Sequence, residues 1–475
     1  MKQLHTRFKL LTLLVIGLLF VAGLYGVYSV TSYGNRWFSN SKNTRYQTAK
    51  RTVIAGDIVD RNGVMLATTD AQGERVYQSN IKARRAIVHL LGDRDGNVAN
   101  GVDSFQANYL LGFETSLGER VAALLRGETR RGDDLTLTVD SKLCTRIVNV
   151  FETGAQTKGK SGAAVVMNYR TGELLALVSL PVFDPQHITD ADRANNQHPF
   201  WNRALQSTLA PGSTFKIITA ASALENIPDI ANRRFVCTGA TKVLDQYIHD
   251  FNQAQHGELT LERAFTVSCN NAFAQIALTL TDAKLRQTAE DFGFNDNFLF
   301  RDVVVENSVY PTTNRNDVEV AWSGAGQSQI GATPLHMCMV AAAIANRGQM
   351  MEPRLLAQVK SPAGVTRLRY TPKVYRRVVS EAVAATLQGY MRNVVATGTG
   401  TAAAVSGLTI AGKTGSAEAA IDGQDVTHAW FVGYIEDDAL PYAVCVLVES
   451  GGGGGSVAAP IAANIFKYLK DTYGR

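Results

Sequence analysis

The chain has 475 residues, which is more than one hydrophobic core usually supports, so we predict a membrane anchor followed by two folded domains. The formal net charge of +5 is distributed along the chain without a long block of like charges, and it therefore gives no indication of nucleic-acid binding. The five cysteines are odd in number and lack C-x-x-C spacing. They predict neither a disulfide framework nor a zinc site.

An uncharged segment, Leu10 to Val30, follows a short basic end that contains Lys2, Arg7 and Lys9. Roughly 21 residues at about 1.5 Å each are enough to span the hydrocarbon core of a bilayer. The positive-inside rule places residues 1–9 in the cytoplasm and the chain after residue 30 on the other side. A cleaved signal peptide is the alternative, but the apolar run is longer than a usual signal core and no clear cleavage site follows it. We therefore predict a single-pass anchor over residues 10–30.

Residues 31–134 are predicted to form a stalk and a small α+β pedestal domain. Two apolar segments, Ile58–Val59 and Val64–Leu66, flank Asp60-Arg61-Asn62-Gly63. The Asn-Gly step supplies the positive φ angles that a tight hairpin requires. A polar run over residues 130–134 then precedes an alternating strand, Leu135–Val139, and marks the predicted boundary.

Residues 135–475 are predicted to form a larger domain of the α/β (α+β) class. Helical spacing of apolar residues predicts a helix from Ser141 to about Ala155, and the segments Ala163–Met167 and Leu174–Leu180 predict a strand hairpin. Three further strands and a last helix are predicted at Leu408–Ala411, His428–Ile435, Tyr442–Val448 and Pro460–Tyr473. We expect one central antiparallel sheet built from both ends of the domain and flanked by helices, with a mostly helical segment from about 185 to 400 beside it.

Three short motifs with the residue types of acyl transfer occur in one order along this domain. Ser213-Thr214-Phe215-Lys216 opens an apolar helix, so Ser213 gains from free backbone N–H groups and a buried Lys216 on the same face can act as a base. Ser268-Cys269-Asn270 lies at a turn between two helical segments. Lys413-Thr414-Gly415-Ser416 continues a strand, where the missing side chain of Gly415 is expected to let a substrate lie against the backbone.

Each motif alone also fits an ordinary structural role, either helix capping or an edge strand. Comparable triplets occur elsewhere in the chain, namely Ser39 with Lys42, Ser41-Lys42-Asn43, and Lys160-Ser161-Gly162. The first two overlap in the predicted stalk, so they cannot form separate walls of a cleft. Context therefore favours the three motifs of the larger domain.

Together the three motifs resemble those of the penicillin-interacting serine acyltransferases. Additional segments resemble class B penicillin-binding proteins, the membrane-anchored peptidoglycan D,D-transpeptidases. These segments are Gly56–Gly63, Leu180–Pro185, Asn202–Ala204, Gly326-Gln327 with Thr333-Pro334, Gly398–Gly400 and His428–Gly433. The combination extends over about residues 50 to 450 and is more specific than any one segment. One departure is Ala55, where the family usually has arginine.

The resemblance implies a role for each motif residue. Ser213 would attack the D-Ala-D-Ala carbonyl of a stem peptide while Lys216 accepts its proton, and Ser268 and Lys413 would relay a proton to the leaving amine. The expected substrate-binding residues are Asn270, Thr414, Gly415 and Ser416, of which Thr414 and Ser416 bind the terminal carboxylate. Backbone N–H groups of Ser213 and Ser416 would form an oxyanion hole. The resemblance implies no metal and no organic cofactor.

The same resemblance implies the partners and the location of the protein. An amine of a second stem peptide would take the acyl group, whereas β-lactam antibiotics would stall at the acyl stage. Expected partners are peptidoglycan stem peptides, the lipid-linked precursor and a SEDS-family membrane glycosyltransferase that contacts the anchor and the first domain. The protein is expected in the bacterial cell membrane, with its catalytic domain outside the cytoplasm.

Other functional classes remain open from the sequence. Gly154 to Ser161 matches the P-loop pattern of nucleotide-binding proteins, although a helix rather than a strand is predicted before it. A β-lactamase or D,D-carboxypeptidase shares the three motifs and transfers the acyl group to water. A penicillin-binding sensor with little turnover is a further alternative.

Overall fold

The computed structural model describes residues 2–38, 48–50, 52–70, 72–93, 95–115, 118–119, 121, 125–127, 129–313, 315–421 and 423–474. The chain begins with a long helix, α1 (Lys2–Phe38). Within the described residues, α1 is the one helix long and apolar enough to cross a membrane, through its stretch His5–Val30 with a mean hydropathy of 2.5. The apolar side chains of this stretch are exposed. Helix α1 thus has the length and composition expected of the anchor over residues 10–30.

Short strands and helices follow α1. They are β1 (Ile58–Val59), β2 (Met65–Thr69), β3 (Arg75–Tyr77), α2 (Ile81–Ala86), α3 (Val88–Leu91), α4 (Val102–Phe105) and α5 (Ala107–Leu110). Strands β1 and β2 pair antiparallel, which confirms the predicted hairpin. In its turn the Asp60 carboxylate accepts hydrogen bonds from the N–H groups of Asn62 and Val64, and Gly63 has a φ of 78°.

The first sheet extends past the predicted domain boundary. Strand β4 (Asp134–Leu137) pairs parallel with β1, and two strands from much later in the chain, Leu356–Lys360 and Thr366–Arg369, complete a sheet of six. Residues on both sides of residue 134 also share one hydrophobic core, which includes Ile58 and Leu469. The division of the chain at residue 134 stays a prediction, and the two regions are joined by both the sheet and the core.

The larger region starts with helix α6 (Ser141–Thr153). The Asp140 side chain caps this helix by accepting from the N–H groups of Lys142 and Leu143, and Leu143, Ile147 and Phe151 are buried. Strands β5 (Gly162–Asn168) and β6 (Leu174–Leu180) follow and pair antiparallel. This helix and this hairpin confirm the sequence prediction.

The segment between about 185 and 400 is mostly helical, as predicted. Its helices are α7 (Asp190–Ala194), α8 (Arg203–Gln206), α9 (Lys216–Asn226), α10 (Leu261–Val267), α11 (Asn270–Asp291), α12 (Asp317–Gly324), α13 (Pro334–Ala345) and α14 (Glu381–Thr397). Its strands are β7 (Phe235–Cys237), β8 (Ala240–Val243), β9 (Gln246–His249), β10 (Gly257–Leu259), β11 (Gln349–Met351), β12 (Leu356–Lys360), β13 (Thr366–Arg369) and β14 (Val374–Arg377). The sequence did not predict these strands, because each is short and several have at most one buried side chain.

The central sheet is completed near the carboxyl end by β15 (Ile410–Ile421), β16 (Gln424–Ile435) and β17 (Tyr442–Val448). The five strands lie in the order β15-β16-β17-β5-β6, and every neighbouring pair is antiparallel. Helix α13 packs on β5, β16 and β17, while α6 packs against the last helix, α15 (Ala459–Tyr473). The structure therefore confirms the predicted fold, a central antiparallel sheet built from both ends of the domain and flanked by helices.

Candidate active site

Ser213 lies on a turn that precedes a buried helix. Residues Gly212–Phe215 form a single turn of 3-10 helix, and the α-helix α9 begins at Lys216 rather than at the serine as predicted. Gly212 has a φ of 53°, and a side chain there would approach the Ser416 carbonyl to 3.0 Å. The serine turn is therefore packed closely against strand β15.

Lys216 is fully buried and points at the second motif. Its Nζ donates to the Ser268 carbonyl at 2.6 Å, to Asn270 Oδ1 at 2.8 Å and to Ser268 Oγ at 3.3 Å. Burial lowers the pKa of Lys216 to about 8, although the Asp250 carboxylate counteracts this shift. The lowered pKa brings the neutral form of this amine closer to physiological pH, as a general base requires.

The second motif occupies the junction of α10 and α11. Ser268 adopts the left-handed conformation, with φ 62° and ψ 38°, which ends α10 and turns its side chain between the two lysines. Cys269 caps α11 through its sulfur, which accepts from the Ala272 N–H at 3.3 Å. Asn270 donates from Nδ2 to the His249 carbonyl at 3.0 Å. The predicted turn between two helices is confirmed.

The third motif lies on β15, as predicted, and its lysine reaches the second motif. Lys413 is fully buried, and its Nζ donates to Ser268 Oγ at 2.8 Å and to the Thr414 carbonyl at 3.0 Å. Burial lowers the pKa of Lys413 well below its usual range, and the positive charge of Lys216 lowers it further. The Ser268 hydroxyl thus accepts hydrogen bonds from two buried amines whose pKa values are both lowered. This arrangement is suited to proton transfer.

The structure shows a packing role for Gly415 that the sequence did not predict. A side chain at Gly415 would lie 2.8 Å from the Pro211 carbonyl oxygen and 3.0 Å from Thr214 Cγ2. The missing side chain therefore makes room for the serine turn. The expectation that it also lets a substrate lie against the backbone stays a prediction. Gly415 brings the first and third motifs into contact.

Two residues outside the motifs contact the hydroxyl groups of Thr414 and Ser416. Thr399 Oγ1 lies 2.6 Å from Thr414 Oγ1, and the Gly454 N–H donates to Ser416 Oγ at 3.1 Å. Thr399 falls in the segment Gly398–Gly400 that the resemblance singled out, but its role was not predicted. The Gly454 contact depends on a turn that the sequence pattern does not reveal.

A buried cluster behind the second motif could hold a metal ion. The ligand atoms of Cys237, Asp250, His256 and Cys269 all lie within 4.8 Å of one another. Thiolate, imidazole and carboxylate are the ligands that Zn²⁺ takes in proteins, so the donor set fits that ion. The expectation of no zinc site rested on the absence of C-x-x-C spacing, whereas the fold gathers these ligands from separate loops.

Asp250 also fixes the backbone of the second motif. Its carboxylate accepts from the Asn270 N–H, from Asn271 Nδ2 at 3.3 Å, and from the thiols of Cys237 and Cys269 at 3.0 Å each. Burial alone would raise the pKa of Asp250, but the hydrogen bonds from the two thiols lower it below its ordinary value. Asp250 is an important site residue that the sequence reading missed, since a lone acidic residue between short strands carries no recognisable signal.

The competing patterns do not form sites of the expected kind. The P-loop-like segment, residues 154–161, follows helix α6 and precedes strand β5, which is the reverse of the order that a P-loop requires. Lys160-Ser161-Gly162 leads into β5 rather than β15. The pair Ser39 with Lys42 and the triplet Ser41-Lys42-Asn43 lie outside the described residues.

The motif geometry defines a serine acyltransferase with two buried lysines, and comparison with known families agrees with it. Residues 162–467 match the family described as the penicillin binding protein transpeptidase domain. The chain therefore belongs to this family, and within it to the class B penicillin-binding proteins.

Similar proteins include peptidoglycan D,D-transpeptidase PbpA of Mycolicibacterium smegmatis, which is 32% identical over 77% of this chain and 78% of the relative. Peptidoglycan D,D-transpeptidase MrdA of Acinetobacter baumannii is 29% identical over 72% of this chain and 55% of that protein. Among solved structures, the ceftriaxone acyl-enzyme complex of penicillin-binding protein A from M. tuberculosis superposes with a TM-score of 0.80 and 27% identity. That match covers 88% of this chain and 99% of the solved one.

Proposed function

We propose that Ser213 is the nucleophile, and Lys216 its general base, in the reaction of this class B enzyme. The protein is a peptidoglycan D,D-transpeptidase that cross-links stem peptides through a serine acyl-enzyme and is acylated by β-lactams. One observation supports these assignments above all. Lys216 and Lys413 both donate hydrogen bonds to the Ser268 hydroxyl, and this series joins the three motifs next to the turn that carries Ser213.

In the acylation step, neutral Lys216 takes the proton of the Ser213 hydroxyl as Oγ attacks the carbonyl carbon of the D-Ala-D-Ala bond. The bond from that carbon to the terminal D-Ala nitrogen then breaks. The leaving amine receives the proton of the Ser268 hydroxyl, which lies between the two amines. Lys216 then passes to Ser268 the proton that it took from Ser213, while Lys413 holds the Ser268 oxygen in place. Proton transfer of this kind is typically worth a factor of about 10²–10⁴ in rate.

The other motif residues hold the donor peptide. Asn270 binds a peptide group of the stem, and the Thr414 and Ser416 hydroxyls bind the terminal carboxylate. Backbone N–H groups of Ser213 and Ser416 stabilise the oxyanion, each typically contributing about 3 kcal/mol. The amine of a second stem peptide then attacks the ester, forms the cross-link and releases Ser213.

We further propose how the protein is placed in the membrane. Residues 1–9 lie in the cytoplasm, residues 10–30 cross the bilayer, and residues 31–134 hold the catalytic region outside the cytoplasm. The basic residues in the first turns of α1, before its apolar stretch, support this orientation. A SEDS-family glycosyltransferase that supplies the glycan strand is the proposed partner, and it would contact the anchor and the first domain.

Labelling with a fluorescent penicillin tests the assignment of Ser213. Full-length protein in detergent, the Ser213→Ala variant and a control variant at an exposed serine, Ser406→Ala, are incubated with the probe and followed for hours. Persistent label on the wild type and on S406A, with none on S213A, is the expected result. Label on S213A would refute Ser213 as the nucleophile, and rapid loss of label with penicillin hydrolysis would make the protein a β-lactamase.

A further inference from the structure

We propose that Thr399 is a positioning residue that, together with the backbone N–H of Gly454, holds the Thr414 and Ser416 hydroxyls as hydrogen-bond donors toward a carboxylate. This inference rests on the proposed role of Thr414 and Ser416 in binding the carboxylate of the donor peptide. Neither Thr399 nor Gly454 belongs to the three motifs. Each contacts one of the two hydroxyl groups from outside the strand that carries them.

The Gly454 contact determines which way the Ser416 hydroxyl can donate. A serine hydroxyl has one hydrogen and two lone pairs, whereas a backbone N–H can only donate. The Gly454 N–H lies 3.1 Å from Ser416 Oγ and therefore occupies one of its lone pairs. The Ser416 hydrogen cannot be used in this bond, so it remains available for an acceptor in the cleft.

The same logic applies to Thr414. Its Oγ1 lies 2.6 Å from Thr399 Oγ1, and either oxygen can be the donor when no ligand is bound. A carboxylate can only accept hydrogen bonds, so a bound carboxylate requires Thr414 to donate to it. Thr414 must then accept from Thr399. The resulting series, Thr399 to Thr414 to carboxylate, also strengthens each bond by polarisation.

A run of five glycines, residues 451–455, lets this turn approach strand β15 and Thr399 closely enough for these contacts. A side chain at Gly454 would lie 2.3 Å from the carbonyl oxygens of both Gly415 and Trp430. One at Gly455 would lie 2.5 Å from the Thr399 carbonyl oxygen. The turn Gly454–Ala458 thus packs against strand β15 on one side and the Thr399 backbone on the other. Substitution in this turn would move both contacts at once, so Thr399 is the better position to test.

The two hydrogens that Thr414 and Ser416 donate determine which ligand chemistry fits the site. A negatively charged carboxylate accepts stronger hydrogen bonds from these two hydroxyls than a neutral ester does, so the site should bind the carboxylate more tightly. Thr399 is exposed whereas Thr414 is buried, so Thr399 can be changed without opening the core. Thr401 in the same loop is also exposed and serves as a matched control.

The test compares benzylpenicillin with its methyl ester on full-length protein in detergent. We expect Thr399→Val to lower the second-order acylation rate with benzylpenicillin by about 10-fold, the effect of one typical hydrogen bond. With the ester the change should be less than about twofold. Thr399→Ser should restore the rate with benzylpenicillin, and Thr401→Val should leave both rates at the wild-type level.

A second comparison establishes whether Thr399 acts through Thr414. In a Thr414→Val background, adding Thr399→Val should have almost no further effect, because the group that it positions is absent. Equal losses with benzylpenicillin and the ester, additive losses in the double variant, or no loss at all would each overturn the proposal. Labelling that still requires Ser213 in those cases would leave the proposed function intact, whereas label on S213A would refute that function separately.

Discussion

At the scale of single residues, the two buried lysines determine how acylation depends on pH. Lys216 and Lys413 share Ser268, and burial lowers the pKa of both, so each loses its proton at a lower pH than an exposed lysine does. Lys216 must be neutral to take the proton from Ser213. We therefore expect the acylation rate to rise with pH, with an apparent midpoint near the value of about 8 for Lys216.

Acylation by a fluorescent penicillin, measured between pH 6 and 10, checks this expectation. The sign follows from burial: a lysine with a lowered pKa loses its proton at a lower pH than a free lysine, so the active form increases through that range. An exposed-lysine variant, Lys467→Gln, should show the same midpoint as the wild type. A flat profile through this range would contradict the assignment of Lys216 as the base.

Gly415 is the residue at which the first and third motifs touch. In a Gly415→Ala variant the new methyl group would lie 2.8 Å from the Pro211 carbonyl oxygen, so the serine turn has to move. A displacement of the nucleophile by about 1 Å is sufficient to lower acylation by about 100-fold. The second-order rate of penicillin acylation measures this loss.

Gly389 provides the matched control for that substitution. It lies inside helix α14, and a side chain there would meet nothing within 4 Å. Gly389→Ala should therefore keep wild-type acylation and raise the free energy of unfolding by up to about 1 kcal/mol. Wild-type acylation in the Gly415→Ala variant would show that the two motifs tolerate separation.

At the scale of elements, Asp250 holds the junction of α10 and α11. The carboxylate is 4% exposed and accepts from backbone, amide and thiol donors, so Asp250→Ala leaves several buried donors without a partner. We expect a loss of about 3 kcal/mol in the free energy of unfolding, together with a lower acylation rate. Thermal unfolding and penicillin labelling measure the two effects.

The control for Asp250 lies in the same hairpin. Asp245 is exposed at the turn between β8 and β9, so Asp245→Ala should change neither stability nor acylation appreciably. An Asp250→Ala variant as stable and as active as this control would show that the second motif keeps its shape without the carboxylate.

A comparison of the observed helices and strands with the predicted ones shows which elements the sequence reveals. Strands β5, β6 and β17 are mostly apolar segments of seven residues, and α6 has a clear apolar face, so these elements were predicted correctly. Three-residue strands such as β7 and β10 are too short to show a period. They position Asp250, which explains why this residue was missed. The contacts of Thr399 and Gly454 depend on loops that meet only in the folded chain, and no local pattern reveals them.

At the scale of the whole molecule, the first sheet joins the region that follows α1 to the catalytic region. Strand β4 pairs with β1 on one side and with β12 on the other, and β12 is separated from β4 by more than half of the catalytic chain. The Asp302 carboxylate beneath β12 accepts from the N–H groups of Leu355 and Leu356, at 2.7 and 2.6 Å. A force on the first region would therefore reach the catalytic region through paired strands.

Helix α1, in contrast, contributes no motif residue, and its apolar side chains are exposed. Removing residues 1–38 takes this apolar surface away from the protein and leaves all three motifs in place. We expect the truncated protein to stay in solution without detergent and to acylate with fluorescent penicillin within about twofold of the full-length rate, since burial of the anchor in lipid is independent of the site. The full chain should sediment with lipid vesicles, whereas the truncated chain should not. Vesicle binding by the truncated chain, or a large loss of acylation, would show that the folded region and the anchor act together.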